Sequence, residues 1–425
     1  MKKIKIGLFG LGTVGSGVFK TLKNFPEVEI EKIVVRNINK SRNIDDFNSS
    51  ILTQNADEIL DNPEIKIVAE LMGGVHPAYE YIKKAIENGK HVVTANKELL
   101  AKHGEELFNY AEKHNVVILY EAAIAGGIPL IMPIKTILAG NKINKIEAIL
   151  NGTTNYILTN MDTNKASYEK VLKEAQELGY AEADPTGDVE GFDSTYKLTT
   201  LATITFKKRI KLEDVYREGI TRIQAEDIKY ANELGYKIKL IAYATIDNQD
   251  NADVRVHPMF VSKNETLAHI NYVTNAVTLS GTPVGKITLS GPGAGEMPTA
   301  SSVVGDILSI TRELGTTDYI LPMMRCLHEQ NQDATVIPIE ETENKYYLRL
   351  IAIDKIGGIA EMTKVFADKK INIETILMKE IAENNTAEIV IVTESCKEKL
   401  IQETEKELLN KSYIKQLASK IRISK

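Results

Sequence analysis

The sequence has little cysteine: only Cys326 and Cys396 occur in 425 residues. Two cysteines so far apart in the chain provide neither a disulfide framework nor the close spacing of a metal site. We therefore expect a protein of a reducing compartment, the cytoplasm, whose stability does not depend on disulfide bonds.

A strong charge imbalance and a long apolar run are also missing. The net charge is -6, with 26% charged and 43% hydrophobic residues. This balance is typical of a soluble globular protein and argues against a nucleic-acid-binding surface. No apolar stretch is long enough to span a bilayer, and the first residues predict a strand rather than a signal peptide. At 425 residues the chain exceeds one ordinary core, so two or three domains are expected.

The first motif that the chain does have is a glycine-rich turn. Residues 3–9 alternate as a strand, and residues 18–22 read as a helix. Between them lies Gly10-Leu11-Gly12-Thr13-Val14-Gly15. The first glycine allows the tight turn, the second lets a pyrophosphate approach the backbone, and the third lets the helix pack on the strand. This context favours a dinucleotide site over a plain turn.

Basic residues follow the second predicted strand, at 29–35. An acid about twenty residues beyond the glycines would hold the ribose hydroxyl of NAD. The chain instead has Arg36, Asn37, Lys40 and Arg42 there, with no acid before Asp45. Such a cluster suits the 2′-phosphate of NADP, and an ordinary basic loop is the alternative interpretation.

Further strands are expected at 65–71, 90–94 and 116–120, and polar or glycine residues follow their carboxyl ends. In open α/β sheets, ligands bind off the carboxyl ends of the strands. The residues predicted to lie at that edge are Arg36, Gly73, Thr94, Lys97 and Glu121. Such a coincidence is hard to obtain from solvated loops, so we expect this edge to bind the cofactor.

The stretch 179–197 is dense in acids and ends on a lysine. Its charged residues are Glu182, Asp184, Asp188, Glu190, Asp193 and Lys197. Asp193 and Lys197 are four residues apart, so on a helix they share one face. Pro185 and the glycines before them predict irregular backbone ahead of this helix, where functional groups tend to lie. Such a stretch could anchor a substrate ammonium and keep a proton donor charged. A solvated acidic loop with a surface ion pair is the alternative.

The remaining sequence predicts two further units. Strands over 238–289 indicate a mixed sheet with helices on one face, and a second subunit is the simplest cover for its other face. The glycine turn at 291–295 is expected to return the chain to the nucleotide-binding part and to close over the cofactor at Gly295. The C-terminal part has the βαββαβ order of a ferredoxin-like motif. The predicted domains are 1–129 with about 291–320, then 130–290, a linker at 321–345, and 346–425.

These motifs resemble those of homoserine dehydrogenases, in particular the monofunctional type with a C-terminal ACT regulatory domain. The family pattern Ala-x3-Gly-aromatic-Ala-Glu-x-Asp-Pro-x2-Asp-x2-Gly-x-Asp-x3-Lys is matched at every fixed position from Ala175 to Lys197. The glycine turn, Thr94-Ala-Asn-Lys97, residues 120–129 and Asn151-Gly-Thr-Thr-Asn155 are also similar to the family. The resemblance implies an α/β protein with a Rossmann-type nucleotide-binding domain, an α/β substrate-binding and dimerisation domain with a mixed sheet, and a ferredoxin-like ACT domain.

The resemblance implies the reversible reduction of L-aspartate 4-semialdehyde to L-homoserine, in threonine, methionine and isoleucine biosynthesis. NADPH is the expected cofactor, with NADH as the alternative. Hydride must reach an aldehyde carbon while the oxygen gains a proton. No histidine is a plausible acid, so we assign the proton donor to Lys197. Burial would lower its pKa toward the working range, and Asp193 would raise it again.

Roles for the neighbouring residues follow from the same resemblance. Lys97 is expected to hold the aldehyde oxygen and to meet the cofactor. Glu182 would bind the substrate ammonium, and Thr153 would also contact the substrate. Asp188 and Asp193 would orient Lys197 and the substrate.

The resemblance further implies a monovalent cation, Na+ or K+, near the domain junction. The matching positions are Glu121 and the carbonyl groups of Ile124, Gly126 and Ile128. A glycine-rich turn can aim several carbonyl oxygens at one point, as a hard cation requires. From the residues alone, this loop reads as a plain strand-to-helix turn.

The ACT resemblance implies an amino-acid effector, with threonine as the first expectation, at the turn 354–358 backed by Asn372. Ile356 stands where the family commonly has proline, a departure at the effector site. A homodimer or homotetramer is expected, without nucleic-acid or membrane partners.

Two other functions are weaker interpretations of the same sequence. An aldehyde dehydrogenase acting on aspartyl phosphate would need an activated cysteine, whereas Cys326 lies in the expected linker and Cys396 in the third unit. A non-catalytic amino-acid sensor would have no need of the intact stretch of acids and lysine.

Overall fold

The structure of this protein is a computed structural model, which describes residues 3–42, 44–45, 47–314, 332–381 and 385–424. Cys326 and residues 321–331 of the expected linker lie outside the described residues. The chain forms two compact units. The first unit comprises Met1–Gly152, Asp193–Val215 and Val273–Ala334, and the second comprises Thr153–Phe192, Tyr216–Tyr272 and Thr335–Lys425.

The strands, in chain order, are β1 (Ile4–Phe9), β2 (Val28–Val34), β3 (Leu52–Thr53), β4 (Ile65–Glu70), β5 (His91–Thr94), β6 (Ile118–Leu119), β7 (Lys142–Ile149), β8 (Tyr216–Arg217), β9 (Tyr236–Ile246), β10 (Asn251–Ser262), β11 (Thr274–Thr282), β12 (Gly285–Pro292), β13 (Thr335–Val336), β14 (Glu343–Ile353), β15 (Ile373–Ile381), β16 (Thr386–Thr393), β17 (Cys396–Lys397) and β18 (Ile414–Ile423). The helices are α1 (Thr13–Leu22), α2 (Asp57–Leu60), α3 (Ala78–Glu87), α4 (Lys97–Lys113), α5 (Ala122–Ala125), α6 (Ile131–Lys135), α7 (Gly152–Asn164), α8 (Tyr168–Glu177), α9 (Thr186–Val189), α10 (Phe192–Phe206), α11 (Ala225–Glu233), α12 (Glu296–Glu313), α13 (Gly358–Asp368) and α14 (Glu398–Leu409). None of the helices among the described residues is long and apolar enough to cross a membrane.

The first unit is built on a six-stranded parallel sheet with the order β3-β2-β1-β4-β5-β6. Ile6, Leu8 and Ile67 of its strands share one core with Val303 and Ile307 of α12. Apolar strands of this kind are typical of a parallel sheet covered on both faces. The strand order reverses between β1 and β4, and sheets of this type bind their ligands at that point, off the carboxyl ends of the strands.

The first unit also contains an antiparallel sheet of three strands. β11 pairs with β7 on one side and with β12 on the other. β12 has no fully buried residue. Its apolar side chains are therefore available to a covering surface.

The second unit contains a sheet with the order β9-β10-β18-β14-β16-β15. The predicted βαββαβ order is confirmed by β14, α13, β15, β16, α14 and β18. The spatial order of its four strands, β18-β14-β16-β15, is the one expected of a ferredoxin-like motif. β18 also pairs in parallel with β10 through Met259 and Phe260. The C-terminal motif therefore continues the sheet of β9 and β10.

Three buried arginines of the second unit form contacts within this sheet or to the elements beside it. Nε of Arg349 on β14 donates to Asp227 on α11 at 2.8 Å. Arg255 on β10 donates to Asn344 on β14 at 2.8 Å. Arg422 on β18 is only 2% exposed. Buried charges persist only when they are paired, so these contacts fix the C-terminal motif in one position on β10 and α11.

The approach to α10 differs from the sequence-based prediction. Proline and glycine predict irregular backbone before Asp193, but Thr186–Val189 form a single helical turn, α9. Oδ1 of Asp184 accepts hydrogen bonds from the backbone N–H and the hydroxyl of Thr186. Pro185 can precede a helical turn because its missing N–H would have no partner there.

Candidate active site

The lysine and aspartate that the sequence spaces four residues apart meet on one face of α10. Nζ of Lys197 lies 2.7 Å from Oδ2 of Asp193. The same nitrogen donates to the carbonyl oxygen of Leu150 at 2.7 Å. Lys197 is 8% exposed and Asp193 is 6% exposed. Most of α10 is buried, so the helix holds this pair in a fixed place.

Lys97 and Asn151 complete the site within the first unit. Lys97, the first residue of α4, forms an ion pair with Oδ1 of Asp193. Nδ2 of Asn151 donates to Oδ2 of Asp193 at 3.0 Å. The Asp193 carboxylate therefore lies between two ammonium groups, and we call this arrangement the Lys97–Asp193–Lys197 cluster. From the sequence, Asn151 is named only as part of the motif at residues 151–155 and has no assigned role, although it lies two residues after the end of β7.

The cluster keeps Asp193 ionised. Burial alone would raise the pKa of its carboxyl, but the positive charges of Lys197 and Lys97 outweigh burial and hold the pKa well below its usual range. The hydrogen bond from Asn151 acts in the same direction. A permanently charged carboxylate that contacts a buried lysine favours the ammonium form of that lysine.

The glycine turn has the geometry of a dinucleotide-binding loop. α1 begins at Thr13, with Gly12 as its N-cap. A Cβ on Gly15 would lie 2.3 Å from the carbonyl oxygen of Gly10, so a larger residue would prevent the helix from packing there. A Cβ on Gly12 would meet nothing within 4 Å, which leaves its face open. Leu11 and Val14 belong to or pack against the core beneath. The open N-terminus of α1 provides N–H groups and positive potential for phosphates.

The basic loop after β2 divides into two parts. Arg36 is exposed at the carboxyl end of the sheet. Arg42 instead donates to the carbonyl oxygens of Asn37, Ile38 and Lys40, and so closes the loop on itself. Of the two arginines predicted to meet a 2′-phosphate, Arg42 therefore has its guanidinium engaged by the protein backbone.

A buried polar chain supports the sheet edge between β4 and β5. Glu70 is fully buried, and its carboxylate accepts the hydroxyl of Thr94 at 2.8 Å and the N–H groups of Met72 and Gly73. Asn96 caps α4 by accepting from the N–H of Leu99. The hydroxyl of Thr94, which is predicted to lie at the cofactor edge, thus donates to Glu70. Sequence reasoning missed Glu70 because in the sequence it is simply one of the last residues of a predicted strand.

Glu121 lies beneath the loop predicted to hold a cation. Its carboxylate accepts the N–H groups of Leu130 and Ile131 on Oε1 and of Met132 on Oε2. The carbonyl oxygen of Gly126 accepts the hydroxyl of Ser302 at 2.7 Å. Glu121 therefore anchors the start of α6, whatever else it binds.

Gly126 and Gly295 lie in two loops that pack backbone against backbone. Gly126 has a φ of 60°, and a Cβ there would lie 2.3 Å from the carbonyl oxygen of Gly293. Gly295 has a φ of 115° and is the N-cap of α12. Both positions thus require glycine, one for close approach and one for its backbone angle.

The acids and hydroxyl predicted to bind substrate belong to the second unit. Thr153, near the start of α7, donates its hydroxyl to the carbonyl oxygen of Tyr180 at 2.7 Å. Glu182 is exposed in the same loop, which Gln176 holds by donating to its carbonyl oxygen at 3.1 Å. Asp188 is half-buried at the turn α9. The site residues in the first unit are thus close together, and those in the second unit share one loop and its neighbouring helices.

Comparison with known proteins identifies the family along the chain. Residues 10–121 match the NAD-binding domain of homoserine dehydrogenase, residues 129–308 match homoserine dehydrogenase, and residues 346–411 match the ACT domain. The homoserine dehydrogenase of Synechocystis sp. is 39% identical over 433 residues, which cover 99% of both chains. A crystal structure of a homoserine dehydrogenase from Thiobacillus denitrificans has a TM-score of 0.94 and 38% identity, covering 100% of this chain and 99% of that one.

A more distant structure carries a cofactor. A hyperthermophilic archaeal homoserine dehydrogenase mutant in complex with NADPH has a TM-score of 0.63 and 27% identity, covering 73% of this chain and 98% of that one. The chain belongs to the homoserine dehydrogenase family, and is an NAD(P)-dependent oxidoreductase with a C-terminal ACT domain.

Proposed function

We propose that Lys197 is the proton donor when aspartate 4-semialdehyde is reduced to homoserine. A bound reduced nicotinamide supplies the hydride, and the carbonyl oxygen then needs a proton. Lys197 supports this role because it is a buried ammonium held by Asp193 and by the carbonyl oxygen of Leu150. In the reverse direction the neutral amine accepts the proton of the homoserine hydroxyl.

Asp193 and Lys97 are proposed to act through charge. Asp193 keeps Lys197 charged and orients it, since its own carboxyl stays ionised. Lys97 carries a second positive charge to the same carboxylate and is partly exposed, at 42% of its side chain. It can therefore stabilise the oxygen anion that forms as hydride adds to the aldehyde.

The acidic loop of the second unit is proposed to bind the amino-acid end of the substrate. Glu182 is the proposed partner of the substrate ammonium, and its exposure supports this assignment. Asp188 would orient the substrate, and Thr153 would contact it from α7. The other acids of the loop have structural duties, since Asp184 holds Thr186 and Glu190 accepts the hydroxyl of Thr221.

The Lys97–Asp193–Lys197 cluster carries this proposal, and Lys197→Met tests it. The variant keeps the volume of the side chain and removes its charge, so we expect kcat to fall about 100- to 10,000-fold. NADPH should still bind, as measured by quenching of its fluorescence. Near-normal turnover in Lys197→Met would show that the proton comes from another group.

Lys90→Met is a matched control for Lys197→Met. Lys90 is also a buried lysine of the first unit, 2% exposed, and its ammonium donates to the carbonyl oxygen of Ile65 at 3.0 Å. Its loss should lower the melting temperature and leave kcat within about twofold of the wild type. Equal losses of kcat in both variants would indicate a general effect of removing a buried ammonium.

NADPH is the proposed cofactor, with NADH used less well. The turn Gly10–Gly15 can receive a pyrophosphate at the start of α1, and exposed Arg36 can pair with a 2′-phosphate. The archaeal relative described as a complex with NADPH supports the same choice. Gly73, Thr94, Lys97 and Gly295 are proposed as further contacts to the cofactor.

We also propose a monovalent cation, Na+ or K+, on Glu121 and the carbonyl oxygens of Ile124, Gly126 and Ile128. A carboxylate has about four lone-pair sites, and that of Glu121 accepts three N–H groups. The carbonyl oxygen of Gly126 accepts one hydroxyl and has a second lone pair. The oxygen atoms of these residues can therefore bind a cation and keep their hydrogen bonds within the protein.

Salt exchange tests the cation independently of catalysis. Replacing NaCl or KCl with choline chloride at constant ionic strength should lower the melting temperature of the unliganded protein, because a bound ion stabilises the folded state. Activity should fall in parallel. Identical melting curves in all three salts would remove the cation from the proposal.

The ACT domain is proposed to bind an amino acid, with threonine as the first probe. Its turn places Gly357 at a φ of 82° before α13, and Ile356 beside it is fully exposed. Asn372 lines an open depression of about 770 Å³ on the same motif. Isothermal titration should detect heat with L-threonine. Absence of heat with threonine and related amino acids would remove this assignment.

A homodimer or homotetramer is proposed, with the exposed strand β12 as part of the covered surface. Sedimentation would distinguish these assemblies from a monomer. A cytoplasmic setting is proposed as well. The scarcity of cysteine in the sequence supports it, because proteins of a reducing compartment do not rely on disulfide bonds.

A further inference from the structure

The strand β8 and the residues after it hold the end of the acidic loop. Nη1 of Arg217 donates to the carbonyl oxygen of Glu190. The guanidinium carbon of Arg217 lies 3.5 Å from the centre of the Phe192 ring. We call residues 189–192 the loop turn; Phe192 begins α10 and directly precedes Asp193 in the chain. Arg217 thus contacts the loop turn at two places, the carbonyl oxygen of Glu190 and the ring of Phe192.

The backbone that follows Arg217 binds the loop turn as well. The N–H of Ile220 donates to the carbonyl oxygen of Val189 at 2.8 Å. The hydroxyl of Thr221 donates to the Glu190 carboxylate at 2.9 Å. A Cβ on Gly219 would lie 2.4 Å from the carbonyl oxygen of Val189, so the two backbones touch directly. A shift of this segment must therefore move the loop turn with it.

The same segment is bound from the other side by the ACT domain. Nη1 of Arg422 donates to Oε2 of Glu218 at 2.9 Å, and its Nη2 donates to the hydroxyl of Tyr216 at 3.3 Å. Nε and Nη2 of Arg422 also bind the Glu398 carboxylate at 2.8 and 2.9 Å. One buried guanidinium thus joins α14 of the ACT domain to the two residues on either side of Arg217.

The strand β10 pairs with both β8 and β18, and so connects the contacts of Arg217 with those of Arg422. Arg255 and Val256 of β10 pair with β8, and Met259 and Phe260 pair with β18. The N–H of Glu218 donates to the carbonyl oxygen of Val256 at 2.8 Å. β8 and β18 are therefore both hydrogen-bonded to β10, which connects them through the backbone in addition to the contacts of Arg422.

We propose that Arg217 is a positioning residue for substrate binding, and that Tyr216 and Glu218 couple it to Arg422 of the ACT domain. Arg217 acts through the loop turn, which lies between Asp188 and Asp193 in the chain. This inference rests on the proposed function of the acidic loop as the substrate site. It assigns to β8 the route by which the state of the ACT domain alters substrate affinity.

Arg217→Lys tests the positioning role. The variant keeps the charge and loses the planar contact with Phe192 and the fixed donor to Glu190. We expect KM for homoserine to rise about tenfold, with KM for NADP+ within about twofold of the wild type. Arg222→Lys is the matched control, since Arg222 is an exposed arginine on the same loop. Equal effects in both variants, or a parallel rise of both KM values in Arg217→Lys, would overturn the proposal.

Glu218→Gln tests the coupling to the ACT domain. Arg422 keeps its paired contact with Glu398 in this variant, so the fold should be retained. We expect KM for homoserine to rise about threefold. Because both substitutions act on one route, Arg217→Lys with Glu218→Gln should raise KM by less than the product of the single effects. If the double variant raises KM by the full product of the two single effects, or if Glu218→Gln alone leaves KM unchanged, the coupling is overturned.

Asp188→Asn separates this inference from the function on which it rests. If Asp188→Asn leaves KM for homoserine unchanged, the acidic loop is not the substrate site and the proposed function fails. If Asp188→Asn raises KM while Arg217→Lys does not, the substrate site stands and the positioning role of Arg217 is refuted. A rise in KM for homoserine in both variants is the result expected from the contacts of the loop turn.

Discussion

Replacing Asp193 with Asn removes the one negative charge of the Lys97–Asp193–Lys197 cluster and keeps its shape. Nζ of Lys197 lies 2.7 Å from Oδ2 of Asp193. With an effective dielectric constant of about 20, Coulomb's law gives about 6 kcal/mol of attraction at this distance. Lys97 adds a second pair to the same carboxylate. The substitution leaves two ammonium groups facing a neutral amide.

The expected loss of activity follows from the charge state of Lys197. Without Asp193 the buried lysine favours its neutral form, which cannot protonate the substrate oxygen. We expect kcat for aldehyde reduction to fall about 100- to 10,000-fold, the usual contribution of general acid catalysis. The assay is NADPH oxidation followed by absorbance across a range of pH. The pH above which activity declines should be lower in Asp193→Asn than in the wild type.

Stability provides a second readout with a defined pH window. The native pKa of Asp193 is lowered, so the unfolded chain binds more protons than the native chain at acidic pH. The stabilisation from Asp193 is therefore complete above the unfolded pKa of about 4 and is lost as pH falls through the native pKa. At neutral pH, Asp193→Asn should lose about 3–5 kcal/mol, as expected when one partner of a buried pair is removed.

Two results would refute this reasoning. One is a kcat within about threefold of the wild type with an unchanged pH profile, since the lysine would then not need the carboxylate. The other is a stability difference between the two proteins that grows as pH falls below about 4, because protonation of Asp193 must reduce that difference. Lys90→Met again controls for the loss of any buried polar contact in the first unit.

Three further predictions concern the cofactor loop and a buried lysine. Arg36→Ala should lower the ratio of kcat/KM for NADPH to that for NADH about tenfold or more, and an unchanged ratio would contradict the pairing with a 2′-phosphate. Gly15→Ala should weaken NADPH binding in a titration, because its Cβ would lie 2.3 Å from the carbonyl oxygen of Gly10, and unchanged affinity would count against this turn as the binding loop. Burial lowers the pKa of Lys239 to about 8, so the unfolded chain binds more protons between that pH and about 10.4. The stability of the wild type relative to Lys239→Met should therefore rise with pH across this window in chemical denaturation, and a flat difference would show that Lys239 titrates normally.

The features that the sequence predicts correctly are set by the spacing of residues within one element or by the order of elements along the chain. The spacing of Asp193 and Lys197 places both on one turn of a helix, and α10 has them in contact. The order of strands and helices in the C-terminal part predicts the βαββαβ motif that the structure contains. Periodicity and turn residues carry this information because they act over a few residues.

Contacts between distant segments could not be predicted in the same way. Lys97 reaches Asp193 only because the first residues of α4 and of α10 meet in the first unit, which no local pattern specifies. Arg42 reads as a ligand for phosphate, but its guanidinium binds the carbonyl oxygens of its own loop. No role is assigned to Arg217 from the sequence, and it donates to the carbonyl oxygen of Glu190. In each case the side chain type was informative and its partner was set by tertiary packing.

Buried lysines and buried arginines have different proposed roles in this chain, because an ammonium can lose its proton and a guanidinium cannot. Two of these cations are lysines: Lys197 is the proposed proton donor, and Lys239 donates to Oδ1 of Asn155 on α7 at 3.0 Å. Their ammonium groups can lose a proton when burial or a partner changes. The ACT domain is joined to the rest of the second unit by arginines, among them Arg349 and Arg422, which stay charged at any pH that the fold survives. Because a guanidinium does not titrate, the contacts that carry the state of the ACT domain to β8 should have the same strength across the pH range of activity. The lysine cluster in the first unit is then the proposed source of the pH dependence of turnover, and KM variants of Arg217 should shift substrate affinity without moving the pH profile.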